Sequence, residues 1–191
     1  GKDKGDYAYL HPNEHVNLSQ STNDVYPSAL KLAACMAIQD LLASMRELKC
    51  AFSNKSEEFK AILKVGRTQW QDAVPMTLGQ EFGSFAETLG EDIDRLSDAV
   101  LLGLEINLGG TAIGTGINSH PEYAERVRES LSHITGLALK TAPNLVEATQ
   151  DCGVFVQLSG VLKRVAVKLS KTCNDLRLLS SGPRAGFNEI N

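Results

Sequence analysis

Four short polar clusters carry side chains that could grip an anion. In the first, Ser19-Gln-Ser-Thr-Asn-Asp-Val-Tyr-Pro27, the residues Ser21, Thr22, Asn23 and Asp24 stand just ahead of a long apolar stretch. All four types cap helix N-termini, and Pro27 suits a first helical turn. One cap needs only one such residue. Hydroxyl and amide donors at the positive end of a helix would also hold a carboxylate. The second cluster, Gly66-Arg-Thr-Gln-Trp-Gln-Asp-Ala-Val-Pro75, reads as a dense polar turn between helices. It is richer in donors and acceptors than a plain connection requires, and sites are usually built on loops at the ends of rigid elements.

The third cluster, Leu108-Gly-Gly-Thr-Ala-Ile-Gly-Thr-Gly-Ile-Asn118, invites comparison with a phosphate loop. No Gly-Lys-Ser/Thr follows and no G-x-G-x-x-G opens a βαβ unit, so nucleotide binding is rejected. Its backbone N–H groups suit a sharp bend or contact with a carboxylate. The fourth, Ser180-Ser-Gly-Pro-Arg-Ala-Gly186, is a helix stop. His11-Pro-Asn-Glu-His15 spaces two histidines by four, but Pro12 and the missing H-E-x-x-H order argue against a metal. No metal site is expected.

Long helices must position these clusters. Neither Pro nor Gly occurs from Ser28 to Val65, no Pro from Met76 to Glu105, and only Gly160 interrupts Val154 to Ser181. Leu78, Phe82, Phe85, Leu89, Ile93, Leu96, Val100 and Leu104 recur at spacings of four and three, one apolar stripe on one helix. Leu158, Val161, Val165, Leu169, Cys173, Leu176 and Leu179 repeat the pattern, and Leu30, Ala34, Ala37, Leu41, Met45, Leu48 and Phe52 give a third stripe. No strand alternation of comparable strength appears. Helices of this length need partners along their whole length, so the expected fold is all-α, a long antiparallel helix bundle. An opening loop over residues 1–24 would lead into a helical domain over 25–191. Gly79, Gly83, Ser84, Ala86 and Gly90 on the middle helix suggest another backbone passing close by.

Composition narrows the function classes. The 191 residues are 42% hydrophobic and 22% charged with net charge −4, which excludes disorder and leaves no basic footprint for nucleic acid. The longest apolar run, residues 99–104, is far too short to cross a bilayer, so no membrane partner is expected. Cys35, Cys50, Cys152 and Cys173 lack C-x-x-C spacing and read as buried free thiols, with the cytoplasm as the default location. The chain opens on Gly1 and reaches its first Met at Met36, which reads as a piece of something longer.

Taken together, the order and spacing of the four clusters on long helices resemble the central helical domain of the aspartase/fumarase superfamily. Ser21-Thr22-Asn23 and Thr68-Gln69 are similar to the aspartate ammonia-lyase branch, where fumarases usually carry Ser-Ser-Asn and Thr-His. Ser119-His-Pro-Glu-Tyr-Ala124 and Thr141-Ala-Pro-Asn144 look more fumarase-like. The resemblance implies reversible deamination of L-aspartate to fumarate and ammonia through an aci-carboxylate intermediate, with no organic cofactor. It implies that Ser21, Thr22 and Asn23 bind one end of the dicarboxylate and Thr68 and Gln69 the other. It further implies a homotetramer, a multi-helix core whose sites are shared between subunits. His11 and Asn13 match a secondary anion site of fumarases, although Glu14 stands where Asp is usual. The family's base is a serine on a mobile loop beyond the Gly-Pro-Arg segment, past Asn191, so no catalytic residue is assigned here and this polypeptide alone is expected to be inactive. Two other readings remain: a class II fumarase acting on fumarate and malate, and a non-catalytic helical assembly domain.

Overall fold

Ser21 and Asp24 set where the first long helix begins. In the computed structural model, which describes residues 3–191, α1 runs Thr22–Glu58. Ser21 Oγ accepts from the Asn23 N–H at 3.1 Å, and Asp24 Oδ1 accepts from the Ser21 N–H at 2.9 Å. This reciprocal cap satisfies two donors that the start of a helix would otherwise leave open. Pro27 lies inside α1, beyond the first turn where its type had suggested a place. Lacking an N–H, it leaves the Asn23 carbonyl without a helical donor, and Asn107 Nδ2 supplies one at 3.0 Å.

A π-helical turn, Pro12–Val16, precedes α1. After it come β1 (Leu63–Thr68), β2 (Gln71–Thr77), α2 (Leu78–Leu102), β3 (Glu105–Ile106), α3 (Tyr123–Thr135), β4 (Lys140–Thr141), α4 (Leu145–Gln150) and α5 (Gly153–Leu179). The first two residues of the 1–24 segment lie outside the described residues. Two compact units form: residues up to Ala37 with Val100–Val154, and Ile38–Ala99 with Phe155–Asn191.

The second unit is built from three antiparallel helical segments. Phe52 on α1 meets Phe82 and Phe85 on α2, with ring centroids 6.2 Å and 5.6 Å apart. Phe59, Leu78, Ala86, Leu176 and Ile190 complete that core. Further along, Asp92 on α2 is held by Arg164 Nε at 2.8 Å and Lys168 Nζ at 3.1 Å, both on α5. The fold is therefore all-α in its frame. The α2 stripe from Leu78 to Val100 is buried as its spacing requires.

Three details differ from expectation. On α1 the buried line is Leu32, Cys35, Ile38, Leu42, Met45 and Phe52, whereas Leu30 and Leu48 of the expected stripe are exposed. The helix is apolar on two sides, so its periodicity supports two registers. On α5 Val165 and Leu179 of the expected stripe are buried, but Thr172 is buried in place of Cys173, which is exposed; Cys50 and Cys152 are exposed as well, and only Cys35 is a buried thiol. Finally, the polar turn 66–75 belongs to a β-hairpin. Most of both strands is open to solvent, so no apolar alternation marked them.

The close approach expected along α2 occurs at Gly79. A Cβ there would run into the Ser56 carbonyl, while at Gly83 and Gly90 it would meet the Ser56 and Lys49 side chains. Ser56 Oγ donates to the Gly79 carbonyl at 2.7 Å across this contact. By length and composition α1 could also cross a bilayer, a test that core helices pass too. Its buried line includes Asp24 and Lys31, and the Lys31 ammonium donates to the Glu105 carbonyl at 2.8 Å. That is the behaviour of a core helix.

In the first unit, Leu32, Ile106, Leu108 and Leu139 form the core, flanked by Val25, Val127 and Leu131. The short parallel pairing of β3 with β4 fixes Ile106 beside Thr141. Asn107, between Ile106 and Leu108, is fully buried.

Candidate functional site

The first and third clusters meet in the first unit through one carboxylate. Asp24 is 0% exposed, and its Oδ2 accepts from the Gly109 N–H at 3.1 Å and the Thr111 N–H at 2.9 Å. With the Ser21 bond at Oδ1, three backbone donors converge on this side chain. The glycine-rich segment thus contacts a carboxylate as its type suggested, but the carboxylate is the chain's own. Gly109 and Gly114 have φ of +96° and +92°, a backbone region that side chains rarely adopt. At Gly114 a Cβ would also strike the Leu145 backbone. The tight bend brings the Ala112 carbonyl onto Asn23 Nδ2, which donates to it at 2.7 Å.

Asn107 locks the same corner from below. Its Nδ2 donates to the Asn23 carbonyl and to Thr149 Oγ1 at 3.0 Å and 3.1 Å, and Ser28 Oγ donates to its Oδ1 at 3.4 Å. A buried amide satisfied on this many sides specifies one arrangement. Burial pushes the Tyr123 hydroxyl up, and the nearby Asp24 charge adds to this against a hydrogen bond with Gln20. Tyr123 therefore stays protonated beside the helix start.

This rigid corner presents Ser21 and Thr22 to a cleft of about 530 Å³ lined also by Asn13, Asn17, Gln20, Val25 and Tyr26. The positive end of a 37-residue helix opens into it. Asn23 stands next in the chain with its amide nitrogen engaged by Ala112, which leaves its oxygen as the group able to accept from a ligand. Asn13 thus shares the cleft with Ser21 and Thr22. His11 serves as a cap: its Nδ1 accepts from the N–H groups of Asn13 and Glu14 at 3.1 Å and 3.2 Å. Among the described residues no cluster of His, Cys, Asp and Glu is arranged to hold a metal ion.

Thr68 and Gln69 lie in the second unit, on the hairpin. Thr68 pairs with Gln71, so Gln69 and Trp70 form a two-residue turn with φ of 52° and 67°. Both are left-handed, as the favoured hairpin turns require, yet neither is glycine. Non-glycine residues in this region persist only where their surroundings hold them, and they cluster at binding sites. Trp70 is 77% exposed. Thr68, Gln69 and Gln71 are exposed beside it.

The base of the hairpin is clamped by charge. Arg67 Nη2 donates to Glu189 Oε1 at 2.7 Å, its guanidinium lies 4.0 Å from the centroid of the Phe187 ring, and Asp72 approaches Arg67 Nε at 3.4 Å. Lys64 pairs with Glu189 Oε2 at 2.8 Å and with Glu81. Burial pushes the Glu189 carboxyl up, but hydrogen bonds and charge from Arg67 and Lys64 outweigh it and hold the group below its ordinary range. The bond to Glu189 raises Arg67 in turn. The fourth cluster takes part through this segment, which turns at the cis Gly182–Pro183 bond.

A depressed carboxyl gives its stability above the unfolded value, and that stability is lost as pH falls through the folded one. The clamp is therefore complete at neutral pH and is expected to open only as pH falls below the ordinary carboxylate range. The fluorescence of Trp70, the one tryptophan of the chain, reports it. An acid transition in that signal should disappear in Glu189→Gln; an identical transition in both proteins would refute the assignment.

Reading the sequence alone did not single out Lys64, Glu81, Asn107 or Glu189. Asn107 stood between two apolar residues just before Gly109-Gly110, a signal of a buried polar anchor. Glu189 gave none.

Comparison with known proteins adds relatives for nearly every residue. A protein-family model described as "Lyase" matches residues 3–191. The aspartate ammonia-lyase of Pseudomonas aeruginosa is 62% identical over 192 aligned residues, spanning 100% of this chain and 40% of that protein. Those of Helicobacter pylori and Escherichia coli K12 are 59% and 53% identical over 191 residues, again covering the whole chain. The chain spans about 41% of the length of the Helicobacter relative. Among solved structures, a fumarate lyase:delta crystallin from Brucella melitensis bound to cobalt superposes with a TM-score of 0.96 at 55% identity, covering 98% of this chain and 41% of that one. A class II fumarase from Schistosoma mansoni superposes at 0.90 with 36% identity, covering 93% and 40%.

Proposed function

This chain belongs to the lyase family, and from that premise we propose that it is part of an enzyme that reversibly deaminates L-aspartate to fumarate and ammonia. The observation that carries the reading is the cleft at the start of α1, where Ser21 and Thr22 stand on a helix N-terminus that Asp24 and Asn107 hold rigid. Identities of 53–62% to aspartate ammonia-lyases, against 36% to a class II fumarase, favour aspartate over malate. Gln69, where fumarases usually carry histidine, points the same way.

In the reaction a base takes the proton from the carbon beside one carboxylate, and the electron pair moves into that carboxylate as an aci-carboxylate dianion. The pair then returns to form the double bond as the carbon–nitrogen bond breaks and ammonia leaves. The residues of this chain bind and orient. The hydroxyls of Ser21 and Thr22, with the helix dipole behind them, stabilise the carboxylate as its charge grows. The Asn23 amide oxygen accepts from the ammonium. Thr68 and Gln69 hold the other carboxylate.

As the resemblance to the superfamily implies, we assign the hairpin tip to the site of a neighbouring subunit in a homotetramer. The exposed apolar side of α1, with Tyr26, Leu30, Met36 and Leu48, supports association along that helix. His11 with Asn13 remains a candidate secondary anion site whose histidine also caps a turn.

Steady-state assay of the protein that carries this chain, following fumarate by its ultraviolet absorbance, tests the reading. L-aspartate should be turned over and L-malate should not. Turnover of malate alone identifies a fumarase; turnover of neither leaves an assembly domain.

A further inference from the structure

We propose that Glu189 is a positioning residue: through Lys64 and Arg67 it sets the hairpin tip that presents Thr68 and Gln69. The inference rests on the reading above, in which those two residues contact the substrate. The tip itself is exposed, and its two left-handed residues require support from elsewhere. That support reaches it from the base.

In a regular strand Lys64 and Arg67 would point to opposite faces. Between Val65 and Arg67 the register shifts: Gly66 alone stands opposite Ala73 and Val74, a bulge whose extra residue lies in β2. A Cβ on Gly66 would lie 2.8 Å from the Val74 carbonyl oxygen, so this bulge admits only glycine without movement. Across this irregularity both cations nonetheless reach the same carboxylate. There the two oxygens of Glu189 take one each, at 2.8 Å from Lys64 and 2.7 Å from Arg67. The side chains of Lys64 and Glu189 are 7% and 18% exposed, so water screens the pairing little.

Glu189 is itself anchored. Its N–H donates to the Leu179 carbonyl at 2.9 Å, the Asn188 N–H donates to the Ser181 carbonyl at 2.7 Å, and Ile190 packs into the phenylalanine core. The end of α5, the segment after it and β1 therefore form one connected unit. Arg67, the last link, is bonded directly to Thr68.

The test is Glu189→Gln in the protein that carries this chain. KM for L-aspartate should rise roughly ten- to a hundredfold while kcat falls by less, because a displaced tip weakens binding most. Adding Thr68→Val to Glu189→Gln should cost much less than Thr68→Val costs alone, since the tip is already displaced. The anisotropy of Trp70 fluorescence, referenced to Trp70→Phe partners, should fall as the tip loosens. Arg67→Lys keeps the charge but loses the planar fork and the Phe187 contact, and should give an intermediate KM; it also serves if Glu189→Gln does not fold. An unchanged KM, or effects of Glu189→Gln and Thr68→Val that simply add, overturns the proposal. If the wild-type protein turns over no aspartate, the functional reading fails, and unaltered Trp70 anisotropy in Glu189→Gln then overturns the clamp separately.

Discussion

Asp24→Asn is expected to destabilise the protein by about 3 kcal/mol and to remove activity with it. The side chain is fully buried and accepts three backbone N–H groups, from Ser21 on one oxygen and from Gly109 and Thr111 on the other. An amide keeps only one accepting oxygen. Whichever way it turns, its NH₂ faces at least one N–H, so donor meets donor in a site closed to water. Hydrogen bonds to a charged group contribute about 1.5–3 kcal/mol each, and an orphaned buried donor costs about 1–3 kcal/mol. Chemical denaturation should show a lower midpoint at an unchanged slope. A variant as stable as the wild type would mean that Asp24 does not join the helix start to the glycine-rich bend.

Thr22→Val should do the opposite: spare the fold and lose about a hundred- to a thousandfold in kcat/KM, the scale seen when one donor to a developing oxyanion is removed. Thr22 lines the cleft and is exposed, so the nearly isosteric valine leaves no cavity and strands no buried partner. Thr68→Val should behave alike, since Thr68 sits exposed on the hairpin. Turnover unchanged in both would favour a scaffold in which these hydroxyls only cap and decorate. Denaturation midpoints within experimental scatter of wild type keep the two predictions separate from that for Asp24.

What the sequence could and could not announce follows from where each interaction is encoded. The α2 stripe was legible because Leu78 to Val100 faces a single core, so burial and spacing coincide. The α1 stripe slipped by about a residue because Tyr26, Leu30, Met36 and Leu48 give that helix a second apolar side. Period alone cannot rank two such faces. The hairpin was hidden for another reason: β1 and β2 bury almost nothing, and Gln69-Trp70 is an improbable pair for a two-residue turn.

The binding residues were legible as types. Ser21, Thr22 and Asn23 are cap residues in excess of need, and Thr68 with Gln69 stood in an over-polar connection. Their supports were not, because Asp24 reaches Gly109 across 85 positions and Arg67 reaches Glu189 across 122. No local pattern records such pairings. A helix-cap aspartate was expected to cap; its second oxygen was free to serve the glycine-rich bend, which only the fold reveals.

The central claim is that one dicarboxylate is held by Ser21–Asn23 of one subunit and by Thr68–Gln69 of another. Mixing settles it most directly. Thr22→Val and Thr68→Val proteins, each nearly inactive, are denatured together in equal amounts and refolded, then assayed on L-aspartate. If sites are shared, half the cluster positions and half the tips are intact, and about a quarter of the sites should regain both. Recovery to about a quarter of refolded wild-type activity is the predicted result. A mixture no more active than its two components, while wild type refolds fully, would contradict the account.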